Sequence, residues 1–438
     1  VAADAWSWVV WLIADIRLRQ ARIPGMDNVT HSLAGLVLAE SVMRVRRNRD
    51  DVEPSPIFRT TAAVMALIAA NLPDADLVYS GVGGDRLAYM LHHRGHTHTV
   101  VVALVGALLL WLGGWLTLRW RARERPPTAD AAWLGLLATA ATLSHLLLDW
   151  TNSYGVHPFW PLNDRWYYGD AVFIVEPWFW VLSVPALVAA SQRVFARGVL
   201  SLILLVGLVL AWRVELVSTG AAMALTAGAV VMIAVTRFLE PPRRIALAVV
   251  GWVCAELVLA GGAGVARAET IRAVESAAPG TELLDVVVTP LPANPICASV
   301  ITVERSGGRY TVATARVSAM PGVMEAAACG TRSEVGGILV PSTRRSSAMV
   351  RWDAEWSAMV GELEELAGGS CPARAALRFI RVPGWRVLDD STVILGDLRF
   401  GTVVGNGFTD LRVPRLSERC PPSVPPWRPP RFDLFTPY

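Results

Sequence analysis

HTHTVVVALVGALLLWLGGWLTL, residues 96–118, passes from two imidazoles straight into an apolar run of membrane-crossing length. After His98 no charged residue occurs until Arg119, and about 20 apolar residues suffice for a helix to cross a bilayer. Working outward from this span, comparable runs occupy about 131–149, 171–191, 199–216, 218–236 and 244–263. Two shorter apolar segments, 32–43 and 60–72, precede them and are expected to form a hairpin of tilted or half-buried helices. Composition agrees with a membrane chain: 53% of the 438 residues are hydrophobic and 18% charged, against about a quarter charged in a soluble domain. The predicted fold is an α-helical polytopic membrane domain over 26–265, followed by a small α+β extracytoplasmic domain over 266–438.

Residues 1–25 read differently. The apolar stretch Ala5–Ala14 is followed by Arg17, Arg19 and Arg22, the wrong order for a signal peptide. An upstream extension before Met26 is expected, with a weak N-terminal anchor as the alternative.

The arginines orient the spans. The chain contains no lysine, and its arginines cluster as Arg44, Arg46, Arg47 and Arg49; Arg119, Arg121, Arg123 and Arg125; Arg193 and Arg197; Arg237, Arg243 and Arg244. If every apolar segment crosses, all of these fall on one side, which the positive-inside rule makes cytoplasmic. Asp27–His31, the 73–97 and 150–170 loops and the C-terminal region then lie outside. No basic stripe interleaves with aromatics, so no nucleic-acid partner is expected. Cys254 sits in the final span, whereas Cys297, Cys329, Cys371 and Cys420 fall in the aqueous region. An oxidising compartment implies two disulfides among those four, with the pairing open; a cytosolic domain with free thiols is the alternative. Short β-type runs are expected at Leu284–Val288, Ser299–Val303, Tyr310–Val317, Ala348–Trp352, Ala376–Val382 and Thr392–Leu395. A helix is expected near Glu355–Ala367, and the proline-rich stretch 421–430 reads as extended and weakly ordered.

All seven histidines lie between positions 31 and 157: His31, His92, His93, His96, His98, His145 and His157. Asp27, Asp74, Asp76, Asp149 and Asp170 accompany them, near the outer helix ends. Ionisable groups beside hydrocarbon are costly unless paired or coordinated. His145 and Asp149, four apart, share one helical face, and Asp27 and His31 repeat the offset in reverse. Asp74 and Asp76 offer two carboxylates at a turn after Pro73. Imidazole with carboxylate suits a divalent metal, zinc first, with manganese or iron as alternatives. Asp74 or Asp76 is the candidate general base or partner to a ligating imidazole, and Arg94 the candidate contact for a phosphate-like substrate. The blander readings are a structural His145–Asp149 hydrogen bond or a proton relay. His92 and His157 read as ordinary interfacial residues, and the aromatics from Trp150 to Trp180 as an interfacial belt.

Together these residues resemble the bacterial membrane-bound, metal-dependent hydrolase family, inner-membrane-associated proteins also described as LexA-binding. The similarity rests on Met26-Asp-Asn-Val-Thr-His31, Asn71-Leu-Pro-Asp-Ala-Asp76, His93-Arg-Gly-His-Thr-His98 and His145-Leu-Leu-Leu-Asp149-Trp-Thr-Asn-Ser-Tyr-Gly155. Asn294-Pro295 and Gly396-Asp-Leu-Arg-Phe400 resemble its C-terminal signatures. The resemblance implies metal ligands His31, Asp76, His93, His98, His145 and Asp149, leaves His96 a neighbour, and leaves the role of Glu176-Pro177 open. It also implies a protein of the bacterial inner membrane. Arg94 and the interfacial position of the cluster, rather than the resemblance, point to membrane lipid as partner and to a lipid-linked or phosphoester substrate.

Two function classes follow. The first is a metal-dependent hydrolase with catalytic residues Asp74, Asp76 and Arg94. The second is a non-enzymatic membrane metal-binding or transport protein using the same ligands. Transporters place their sites near the bilayer midplane, and the later spans carry few ionisable residues, Glu256 and Arg213 among them. A weaker third reading is a scaffold whose outer domain binds a partner.

Overall fold

A computed structural model describes residues 27–435, apart from 51–52, 81–85, 123–126, 278–279 and 331–334. The expectations for residues 1–25 and for Arg123 and Arg125 lie outside the described residues. Helix α1 (Asp27–Asp50) pairs with α2 (Pro56–Asn71). Ser55 starts α2, its hydroxyl accepting from the Phe58 amide with Pro56 in the first turn, where a missing N–H costs nothing. Past Asn71 the chain bends by 55° into Pro73–Ser80, a 3-10 turn (Pro73–Asp76) running into α3 (Leu77–Ser80). Helix α4 (Arg86–His92) and a second 3-10 turn (His96–His98) lead to α5 (Val100–Ala122), and α6 (Thr128–Thr151) returns antiparallel to it.

Among the described residues, five helices are long and apolar enough to cross a membrane: α5, α6, α8 (Val194–Arg213), α9 (Thr219–Phe238) and α10 (Pro241–Ala277). The bent pair Pro56–Ser80 adds a sixth candidate. The expected span at 171–191 is shorter than its apolar run. Helix α7 covers only Pro177–Ala190, because Glu176 caps it, accepting from the Trp178 amide, and residues 171–176 are irregular. Instead of facing lipid, α7 is an interior helix. Phe179, Trp180, Val181, Val184 and Leu187 pack against α1, α8, α9 and α10. The outward faces of the long helices expose Leu108, Leu109, Leu202, Leu205, Val230 and Leu257, a surface that only hydrocarbon would cover without cost.

Helix α10 runs unbroken for 37 residues, about 55 Å. The expected domain boundary at 265/266 therefore falls inside it, and Ala266 and Val274 pack against the sheet that follows. That sheet is antiparallel, in the order β1 (Glu282–Leu291), β2 (Asn294–Ser306), β3 (Arg309–Ser318), β5 (Val350–Met359), β4 (Val340–Pro341). A second antiparallel sheet joins β6 (Pro383–Val387), β7 (Thr392–Asp397) and β8 (Leu411–Pro414). Between the sheets lie α11 (Val360–Gly369) and α12 (Cys371–Ala376).

Three local expectations need correction. The helix expected from Glu355 begins at Val360, since residues 350–359 pair along β3 as a strand. The strand expected at Ala376–Val382 is the end of α12 followed by turns. Ser370 caps α12 and Pro372 sits in its first turn. The proline-rich stretch is docked as well as extended: Trp427 is 1% exposed and its indole N–H donates to the Leu91 carbonyl at 3.0 Å. The disulfides join Cys297 to Cys329 and Cys371 to Cys420, leaving Cys254 free.

The sheet domain sits on the end of the bundle that carries the histidines. Arg381 pairs with Asp170 at 2.8 Å and with Asp285 at 2.9 Å, and Arg267 of α10 also reaches Asp170. Within the Gly396–Phe400 segment, Asp397 holds Arg399, whose guanidinium donates to the Ser153 and Tyr154 carbonyls. Glu176 resolves as a clamp. Its second oxygen accepts from the amide of Ala293 at the β1–β2 turn, and Asn294 closes that turn by accepting from the Ile296 and Cys297 amides.

Candidate metal centre

The centre forms where three chain segments converge: the turns after α2, the His96–His98 turn and the C-terminal end of α6. On α6, His145 and Asp149 face inward one turn apart, with Leu147 on the opposite, exposed side. His145 Nδ1 lies 2.7 Å from the carbonyl of Ala70. That carbonyl can only accept, so Nδ1 carries the proton and Nε2 presents a lone pair. His98 is tied likewise, its Nδ1 3.3 Å from Asp76 Oδ2 and 3.1 Å from Thr97 Oγ1. The two free Nε2 atoms meet at 3.1 Å.

Two carboxylates complete the set. Asp149 Oδ2 stands 3.0 Å from His98 Nε2 and 3.4 Å from His145 Nε2, and Asp74 Oδ1 stands 3.4 and 3.5 Å from the same atoms. One ligand atom from each of Asp74, His98, His145 and Asp149 lies within 4.8 Å of the others. Ligands about 2.0–2.1 Å from a tetrahedral zinc ion stand roughly 3.3–3.4 Å apart. The observed separations bracket that edge, and two imidazole lone pairs at such range repel unless a proton or cation lies between them. The donor set fits a divalent metal ion.

A second group, Asp74, Asp76 and His93, adjoins the first through Asp74. His93 Nδ1 is 3.1 Å from Asp76 Oδ1, while the Arg94 amide and the Thr97 hydroxyl donate to Asp76 Oδ2. Asn28 of α1 donates to the other oxygen of Asp74 at 3.0 Å. His98, His145 and Asp149 are buried, whereas the side chains of Asp74 and His93 keep 10% and 11% exposure and form the rim.

The remaining predicted site residues take other positions. His31 lies outside the four-atom set: its ring stacks on His145 with centroids 3.8 Å apart, and Nε2 is 3.4 Å from Asp149 Oδ1. Arg94, at φ 58°, is 2% exposed and pairs with Asp149 at 2.8 Å, donates to Asn152 Oδ1 and lies over the Tyr154 ring. Its guanidinium is thus committed to the protein, and a bidentate grip on substrate would require breaking the Asp149 pair. His96 sits between Trp160 and Trp427, and His92 lies edge-on to Tyr79.

His157, expected at the interface, is fully buried between Trp166 and Trp427, and burial pushes its imidazole down to about 3. Burial likewise lowers His92 and His96. The aromatic belt divides too: Trp150 remains exposed, while Trp166 is buried and donates to the Arg378 carbonyl of the sheet domain. Asp170 belongs to the Arg381 network rather than to the centre.

Sequence reasoning passed over Asn28, Thr97 and Asn152, although each lies inside a quoted motif, where a side-chain amide or hydroxyl next to a ligand signals an orienting partner.

No curated protein and no solved structure matches the chain. Residues 26–222, which contain every residue of the centre, match the family model described as YdjM inner membrane protein, and with its long apolar helices the chain is a multi-pass membrane protein similar to that bacterial inner-membrane family.

Proposed function

We propose that the protein is a metal-dependent hydrolase whose centre holds zinc through Asp74, His98, His145 and Asp149 at the extracytoplasmic face of the inner membrane. The observation that carries this reading is the 3.1 Å approach of His98 Nε2 to His145 Nε2 between two carboxylates. When bound, such an ion supplies Lewis acidity and activates water near neutral pH. The chain's own groups supply the rest. Arg94 offsets the charge of Asp149, Asn28 orients Asp74, and Ala70 and Asp76 hold the imidazoles in one tautomer. The His93–Asp76 pair handles protons at the rim: His93, the partly exposed member, takes up the proton released from water and returns it to the leaving group, and Asp76 balances its charge. The rim lies at helix ends beside the lipid surface, which suits a lipid-linked or phosphoester substrate approaching from the membrane.

Metal analysis of the detergent-purified full chain, with hydrolysis assays on phospholipid, phosphoester and amide substrates, tests the proposal. Wild type is expected to carry stoichiometric zinc and to cleave one class; His145→Ala is expected to lose both. Stoichiometric metal retained by His145→Ala would overturn the assignment, and a metal-loaded wild type inert across the panel would leave the non-enzymatic reading.

A further inference from the structure

At the opposite end of the bundle, a cavity of about 630 Å³ opens among α7, α8, α9 and α10. That volume is in the range of small-molecule sites, roughly 300–1,000 Å³. Its mouth is formed by Arg197 in the first turn of α8, Arg237 in the last turn of α9 and Arg244 in the first turn of α10. Its depth is apolar: Leu204, Leu205 and Leu208 of α8 continue the wall inward, so Arg197 and Leu208 stand about 16 Å apart along the helix. Leu205 is 59% exposed, which leaves the groove open sideways to the surrounding hydrocarbon.

The charge at the mouth is uncompensated. Among the described residues no carboxylate pairs with Arg197, Arg237 or Arg244. Arg197 and Arg244 donate only to backbone carbonyls, of Val188 for the first and of Leu239 and Ala189 for the second. The nearby carboxylates are already engaged, Glu240 with Arg243 and Glu40 with Arg44. Three guanidiniums above an apolar, laterally open groove match one ligand chemistry, a phosphate diester carrying acyl chains. Clustered arginines between transmembrane helices on the cytoplasmic side recognise anionic headgroups in this way.

We infer that this groove is a binding site for an anionic phospholipid of the cytoplasmic leaflet, with its phosphate among Arg197, Arg237 and Arg244 and an acyl chain along Leu204–Leu208. The site is separate from the metal centre and does not depend on its chemistry.

Native mass spectrometry of the detergent-solubilised full chain, titrated with phosphatidylglycerol or phosphatidylcholine, reads the occupancy. Wild type is expected to retain phosphatidylglycerol preferentially. Arg237→Gln is expected to weaken that binding about fivefold and Arg197→Gln by a further factor of about five, with phosphatidylcholine unaffected. Leu205→Trp, at an exposed position that leaves the fold alone, is expected to lower phosphatidylglycerol occupancy by filling the groove. Equal binding of the two lipids by wild type, unchanged binding in the arginine variants, or displacement of the lipid by glycerol 3-phosphate alone would each overturn the inference.

Discussion

His98 and His145 point their Nε2 atoms at each other across 3.1 Å, while each ring is tied at Nδ1 to an acceptor on a different chain segment. Position and tautomer are therefore set by backbone and carboxylate groups outside the ligand set. Metal affinity is expected to depend on two tiers of residues. His98→Ala and His145→Ala remove ligands and abolish stoichiometric binding. His31→Ala removes a neighbour that stacks on His145, and weakens binding by about 10–100-fold. Zinc titration against a competing chelator separates the two tiers.

Arg94 and Asp149 form a pair with both side chains nearly inaccessible. Removing one partner leaves a buried charge, at a cost of about 3–5 kcal/mol. Arg94→Leu is expected to destabilise by that amount, and Arg94→Leu with Asp149→Asn by clearly less. Thermal unfolding in detergent of both variants and of Asp149→Asn checks this; a double-variant loss equal to the sum of the two single losses would show that the pair does not couple.

The seat of the sheet domain has a pH limit. Burial raises the Asp285 carboxyl, but Arg381 and the neighbouring arginines outweigh it and bring it down to about 2, from 3.8 when free. A depressed carboxylate stabilises the folded state above its unfolded pKa and loses that contribution as pH falls through the folded value. Protease resistance of the domain junction is thus expected to hold above pH ~4 and to fall between pH ~4 and ~2. Arg381→Gln should remove the resistance already at neutral pH.

Of the five cysteines, four are in disulfides and Cys254 is free. Thiol titration of denatured, unreduced protein is expected to find one thiol per chain, rising to five after reduction. The linked positions are 32 and 49 residues apart, so losing either link is expected to destabilise the domain by about 3–4 kcal/mol.

Trp427 fills the space between His96 and His157 beneath the Leu91 carbonyl. Trp427→Ala is expected to cost about 3–5 kcal/mol. Urea unfolding followed by intrinsic fluorescence measures it.

Local periodicity made much of this architecture legible. Four-residue spacing placed His145 and Asp149 on one helical face, and unbroken apolar runs located the long helices. The meeting of segments was harder to read. The 55° bend after Asn71, which brings Asp74 and Asp76 onto His98, depends on Pro73 and on packing against α6; neither is a periodic signal. Arg94 stood beside four imidazoles and looked available to substrate, yet burial turned it toward Asp149. Hydropathy counted 171–191 as a span, although its first residues serve a cap and a turn. The docking of Trp427 is a contact across 336 positions, beyond the reach of any local rule.

Helix α10 crosses from the bundle into the sheet domain as one 37-residue rod. A strut of this kind leaves no pivot between the two halves, because hinge motion needs a few residues free to change their backbone angles. The Glu176–Ala293 bond, from the cap of α7 to the β1–β2 turn, ties bundle and sheet domain a second time. The domain is consequently more fixed roof than swinging door over the histidine-bearing end of the bundle, and the eaves left open beneath it are on the side where Asp74 and His93 remain in view.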